Sequence, residues 1–121
     1  MLYTKVINDN KNFVEMYNKA GYFAGKYIVL YVKSNNLPYN RFGITAGKKV
    51  GNAVRRNRAK RLIRQVYSDN EVNLPIGIDI VIVARYAICD INYTQLNNFM
   101  TEHCITEIMR LAKRVTSRKK K

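Results

Sequence analysis

The stretch KKVGNAVRRNRAKRLIR, Lys48 to Arg64, carries eight basic residues in seventeen positions and no acid. Like charges three or four apart on a helix repel one another, so something outside the helix must relieve the strain. The spacing nevertheless predicts a helix, from about Asn52 to Ser68. Asn57, Lys60, Arg61 and Arg64 recur at i, i+3, i+4 and i+7. So do Ala59, Leu62, Ile63 and Val66. The two sets are offset by two residues, about 200° around the axis, and therefore lie on opposite sides. One side packs on a sheet; the other shows three cations and an amide. Arg55 projects near the apolar side and must snorkel or sit before the helix settles, while Arg56 and Arg58 flank the basic face. Lys48, Lys49, Gly51 and Asn52 stand at the entrance, where free backbone N–H groups and the helix dipole favour phosphate.

Outward from this helix, strands are predicted on both sides. RFGITA (Arg41 to Ala46) precedes it, and IDIVIVAR (Ile78 to Arg85) follows the loop NLPIG. The second run is almost entirely β-branched, as a strand covered on both faces should be. KYIVLYVK (Lys26 to Lys33) reads as another strand, joined by the turn residues SNNLPYN to RFGITA and expected to pair with it as a hairpin. Phe13, Met16, Tyr17 and Ala20 mark an N-terminal helix from about Asp9, with Gly21 as its stop. Asn92 and Gln95 form a weak capping box before a long helix striped by Leu96, Met100, Cys104, Ile108, Leu111 and Val115. The order helix, strand, strand, helix, strand, helix predicts an α+β fold, an α/β sandwich with a small mixed sheet. A single domain is expected over residues 1–115, followed by a basic, disordered tail over 116–121.

Charge narrows the function. The net charge is +14, and the 53 residues between Glu15 and Asp69 hold twelve Lys or Arg and no acid. So one-sided a field argues for a polyanionic partner. A merely solvated face would intersperse both signs. No stretch approaches 18 apolar residues, which gives no sign of a membrane-spanning helix. Cys89 and Cys104 are far apart and form no CxxC, so a zinc site is not expected, and two cysteines without a leader suit a reducing cytoplasm.

Aromatic residues suggest a second surface. Single-stranded RNA is held in cationic grooves with aromatic platforms. Tyr27, Tyr31 and Lys33 share one predicted strand face, and Phe13 and Tyr17 share one helix face. If helix and sheet meet, these five line one cleft; the competing reading is core packing. Catalysis finds little support. The eight acids are scattered, and Asp69 with Glu71 reads as a solvated turn rather than a metal site. One histidine, His103, cannot supply an acid–base pair. No catalytic residue and no metal ligand is assigned.

The basic stretch, extended to KKVGNAVRRNRAKRLIRQVY, closely resembles the signature of the bacterial ribonuclease P protein subunit. Asn12–Phe13, VLY (Val29 to Tyr31), RFGIT (Arg41 to Thr45) and DIVIVAR (Asp79 to Arg85) also fall where that family has them. The N-terminus departs from the pattern: MLYTKVINDN supplies only Lys5 where members carry several cations, and Asn12 replaces an acid. The resemblance implies a subunit that assists a catalytic RNA in removing the 5′ leader from precursor tRNA. The RNA would carry the active site and its Mg²⁺, and the protein would need no protein partner. RNA contacts would then come from Lys48, Lys49, Asn52, Arg55, Arg56, Asn57, Arg58, Lys60, Arg61 and Arg64. A central cleft with Phe13, Tyr17 and Tyr31 would take the leader. The family also implies a left-handed crossover at the basic helix, where the usual rule favours the right-handed form. The rival readings are a ribosomal-type RNA-binding protein, a DNA-binding factor, and a self-sufficient nuclease.

Overall fold

The computed structural model describes residues 2–7 and 9–119. The elements are β1 (Thr4–Val6), α1 (Asn10–Lys19), β2 (Gly21–Ala24), β3 (Ile28–Ser34), β4 (Asn40–Thr45), α2 (Ala53–Asn70), β5 (Ile78–Ala84), α3 (Tyr93–Phe99) and α4 (Ile105–Lys119). One mixed sheet runs in the order β1-β4-β5-β3-β2. β5 lies at its centre, parallel to β4 and antiparallel to β3. This is the expected α+β class, with the basic helix joining the parallel neighbours β4 and β5.

Alternation along the strands sorts residues between two layers. Ile28, Leu30, Val32, Phe42, Ile80 and Ile82 face α2, α3 and α4, where Ala59, Ile63, Val66, Leu96, Met100, Cys104, Ile108 and Leu111 complete the core. The Phe42 and Tyr67 rings stack in parallel, 4.0 Å between centroids. Among the described residues, the opposite face carries Tyr31, Lys33, Arg41, Gly43, Asp79 and Val81 and is packed by α1. In the last helical region the buried positions 96, 100, 104 and 108 step by four. A 3.6-residue helix would carry such a stripe off the core. A π-turn at Met100–Cys104 absorbs the drift between α3 and α4.

Several expectations are corrected. β3 and β4 do not pair as a hairpin. Their connection straddles the start of β5: the Asn35 N–H donates to the Gly77 carbonyl, and the Asn40 side chain accepts from the N–H groups of Gly77 and Ile78. β5 thereby takes the central place, the only position that buries both its faces. β1 and β2 are additional strands. β1 is held less by its own side chains than by Glu71, whose carboxylate accepts from the N–H groups of Leu2 and Tyr3 and from the Thr4 hydroxyl. Glu71 is therefore no solvated turn residue; it is 3% exposed. Burial alone would raise its carboxyl, but these bonds outweigh burial and lower it. Gly21 opens β2 rather than capping α1, whose C-cap is Ala20; Leu111 packs where a Cβ at Gly21 would stand. The tail expected from 116 is helical as far as Lys119; residues 120–121 lie outside those described.

Candidate nucleic-acid interface

α2 begins where the sequence indicates. The Asn52 side chain accepts the Arg55 N–H at 3.0 Å and caps the helix. Before it, a 3₁₀ turn (Lys48–Val50) buries Val50 and leaves Lys48 and Lys49 exposed. Gly51 has φ +142°, a conformation open mainly to glycine, and its bare Cα lets the Arg55 side chain lie across the turn. Arg55 is thus carried out to solvent over this turn. Ala59, Ile63 and Val66 are buried and Leu62 is partly so, while Asn57, Arg61 and Arg64 are exposed and Lys60 is half-buried. The two predicted sides are real. Arg58 is anchored, donating to the Ile91 carbonyl at 2.8 Å. Among the described residues, none of the eight cations from Lys48 to Arg64 forms a salt bridge. Their mutual repulsion is uncompensated within the chain.

The second surface lies on the α1 face of the sheet. The register places Tyr22, Tyr31, Val81 and Gly43 in one transverse row. Tyr17 from α1 meets Tyr31 edge-on at 5.0 Å, and Tyr22 lies 5.9 Å from Tyr31. Phe13 covers Gly43 so closely that a Cβ there would stand 2.6 Å from its ring. Phe13, Tyr17 and Tyr31 are therefore brought together as expected, and core packing alone does not describe them: Tyr17 is 40% exposed, and Phe13 and Tyr31 are only half-buried. Tyr22 stands in GYFA, which the sequence reading assigns to no strand; its ring comes beside Tyr31 only through the pairing of β2 with β3.

Two expected members behave otherwise. Tyr27 precedes β3 and packs edge-on against Phe99 at 5.2 Å, on the helical side, away from this cleft. Lys33 is in the cleft but is no free cation. It lies 3.6 Å from Glu15 and 3.4 Å from Asp79. Asp79, 1% exposed, also accepts from Arg41 through both oxygens (2.8 and 2.6 Å) and from Asn35 at 2.9 Å. Burial would push its carboxyl up, but the Arg41 and Asn35 bonds and the charges of Arg41 and Lys33 outweigh that and hold it below the ordinary range. The same hydrogen bond raises Arg41. Lys33, Asp79 and Arg41 thus form a locked ionic row one pleat from the aromatic row.

The two surfaces converge. Among the described residues, β1 pairs with Asn40–Phe42, and no strand pairs with that side of β4 beyond Phe42. A cleft of about 230 Å³ opens there, lined by Phe13 from α1, Lys60 and Arg64 from α2, and Ile44 from β4. Cations of the basic side of α2 and the first ring of the aromatic row share one wall.

A protein-family model described as Ribonuclease P matches residues 1–109. The chain belongs to the ribonuclease P protein family. It is accordingly the accessory protein of a ribonucleoprotein endoribonuclease, with a role in tRNA processing. The ribonuclease P protein component of Natranaerobius thermophilus is 39% identical over 108 residues, 89% of this chain and 87% of that one. That of Clostridioides difficile is 37% identical over 95 residues, 78% and 83% of the two chains. The solved ribonuclease P protein of Staphylococcus aureus superposes with a TM-score of 0.75 at 30% identity, covering 88% of this chain and 95% of that one. The Thermotoga maritima protein shares the fold, with a TM-score of 0.71 at 24% identity over 78% and 89% of the two chains. A ribosomal-type protein or a DNA-binding factor is not favoured by these likenesses.

Proposed function

We propose that this ribonuclease P protein grips the catalytic RNA through the outward side of α2 and its entrance, and holds the 5′ leader of precursor tRNA on the aromatic row under α1. The observation that carries this reading is the shared wall at the β4 edge, where Lys60 and Arg64 meet Phe13. A strand leaving an RNA bound on α2 passes Lys60 and Arg64 and meets Phe13 in the same cleft. Lys48, Lys49, Asn52, Arg55, Arg56, Asn57, Arg58 and Arg61 extend the phosphate contacts; anchored Arg58 adds a cation of fixed position. Counterions displaced by phosphates relieve the helix's self-repulsion on binding.

Hydrolysis belongs to the RNA and the Mg²⁺ it holds. Four of the protein's eight carboxylates do not fit that ion, because they already accept hydrogen bonds within the chain. Asp79 holds Arg41, Glu71 holds β1, Asp69 accepts from Tyr93 and Glu107 from Arg110. Among the described residues, no three of His, Cys, Asp or Glu gather in one place. The protein's part is to screen phosphate repulsion and fix the leader, releasing a mature 5′ end. The cytoplasm suits it, since both thiols are free. Among the described residues, no helix is long and apolar enough to cross a membrane.

Reconstitution tests the reading. The protein with a bacterial ribonuclease P RNA at physiological Mg²⁺ should process precursor tRNA, whereas the protein with Mg²⁺ alone should leave it intact. Tyr31→Ala should weaken precursor binding and spare mature tRNA. Equal weakening of both would remove the leader from the cleft.

A further inference from the structure

The aromatic row does not stop at the floor of the cleft. It continues to Tyr22, which faces Tyr31 across the β2–β3 pair and stands at the free edge of the sheet. From the Phe13 ring over Gly43 on β4 to Tyr22 on β2, the row crosses four neighbouring strands, about 14 Å. Tyr22 is the most exposed of its rings at 62%. Its neighbours Gly21 and Phe23 turn into the core side, where Leu111 packs over Gly21. The ring is therefore not a core residue that happens to show. Among the described residues, no hydrogen bond of its hydroxyl accounts for its placement, and Tyr31 is its ring neighbour. A short edge strand with an outward tyrosine is costly in exposed apolar surface, and a stacked base would cover it.

We infer that Tyr22 is a distal leader subsite, stacking an unpaired nucleobase farther from the scissile phosphate than those held by Phe13, Tyr17 and Tyr31. This rests on the leader reading above and adds a direction to it. The α2 end of the row, beside Lys60 and Arg64, lies nearest the RNA that cuts. The β2 edge is the far end, so the leader runs from Phe13 toward Tyr22 as it departs from the cleavage site. Tyr22 then acts only on leaders long enough to reach it. The ligand class is single-stranded RNA read by π-stacking, which tolerates any base.

The test uses the reconstituted holoenzyme and precursors whose leader is lengthened one nucleotide at a time. Affinity of the unaltered enzyme should climb with length and then level off. With Tyr22→Ala it should level off earlier, and long leaders should bind about five- to tenfold more weakly. Tyr22→Phe should restore the long-leader affinity, since stacking needs the ring and not the hydroxyl. If Tyr31→Ala weakens long leaders and Tyr22→Ala does not, the platform ends at Tyr31 and the distal subsite is overturned, while the leader reading stands. If Tyr22→Ala weakens the shortest leaders as much as the longest, the direction is reversed and the inference fails. If neither variant changes precursor affinity at any length, the leader reading itself fails.

Discussion

Replacing Asp79 by asparagine should cost about 2–3 kcal/mol of folding stability. The carboxylate is 1% exposed and makes a two-oxygen pair with Arg41, with Asn35 and Lys33 also against it. Removing one partner of a buried ion pair typically costs about 3–5 kcal/mol, because the other charge is stranded. Here the Arg41 side chain is 32% exposed and recovers part of its hydration, which brings the figure down. Asparagine keeps the shape, so a cavity adds nothing. Urea unfolding near neutral pH reads the difference directly. The pH dependence gives a second check. The folded Asp79 carboxyl is depressed below its ordinary value of 3.8. Its contribution is therefore complete above that value and is lost as pH falls through the lower folded one. The gap between Asp79→Asn and the unaltered protein should close in acid and stay constant from about pH 5 to 7. A deficit under about 0.5 kcal/mol, the scale of a surface pair, would refute the view that this ionic row is a locked structural wall. So would a deficit of full size that persists unchanged in acid.

Glu71→Gln should destabilise the protein by about 1–3 kcal/mol and raise amide exchange at Ile7, since β1 loses the acceptor that holds Leu2, Tyr3 and Thr4; exchange no faster than in the unaltered chain would show that β1 is held by its pairing with β4 alone. Gly43→Ala should displace the Phe13 ring, which stands 2.6 Å from the new Cβ, and lower precursor affinity several-fold with little effect on binding of the catalytic RNA. A precursor titration and an RNA-subunit titration on the same preparation check this; parallel losses in both would argue against separate surfaces.

What the sequence disclosed and what it withheld follow from how each feature is encoded. α2 is legible because its two sides repeat with one period, and its cap Asn52 can be named in advance. β5 is legible from its β-branched run, and the pairing of Asn92 with Gln95 as a capping box is borne out, each side chain accepting the other residue's N–H. β1 left little trace, because it is held by pairing with β4 and by a carboxylate 67 to 69 positions away that accepts from Leu2, Tyr3 and Thr4. The hairpin expectation failed on nonlocal grounds. SNNLPYN has good turn chemistry, but the chain turns around the end of β5, and nothing local reports a third strand entering. Tyr27 was misplaced by assuming that alternation ran one residue beyond the strand's true start. The ionic state of Lys33 was invisible, since Glu15 and Asp79 meet it only in the folded chain. The cleft's aromatic members were correctly grouped for Phe13, Tyr17 and Tyr31, because helical and strand spacing each place their own pair and the sheet then joins them.

The most direct measurement is the salt dependence of binding to the catalytic RNA, taken for the unaltered protein and for Arg61→Ala combined with Arg64→Ala. Both arginines are exposed on the side of α2 opposite its buried residues, so their loss should leave the fold intact. If each neutralises a phosphate, affinity falls and the slope of log K against log salt becomes shallower by about 2. An unchanged slope, with the protein still folded, would place the RNA on some other surface and contradict the account.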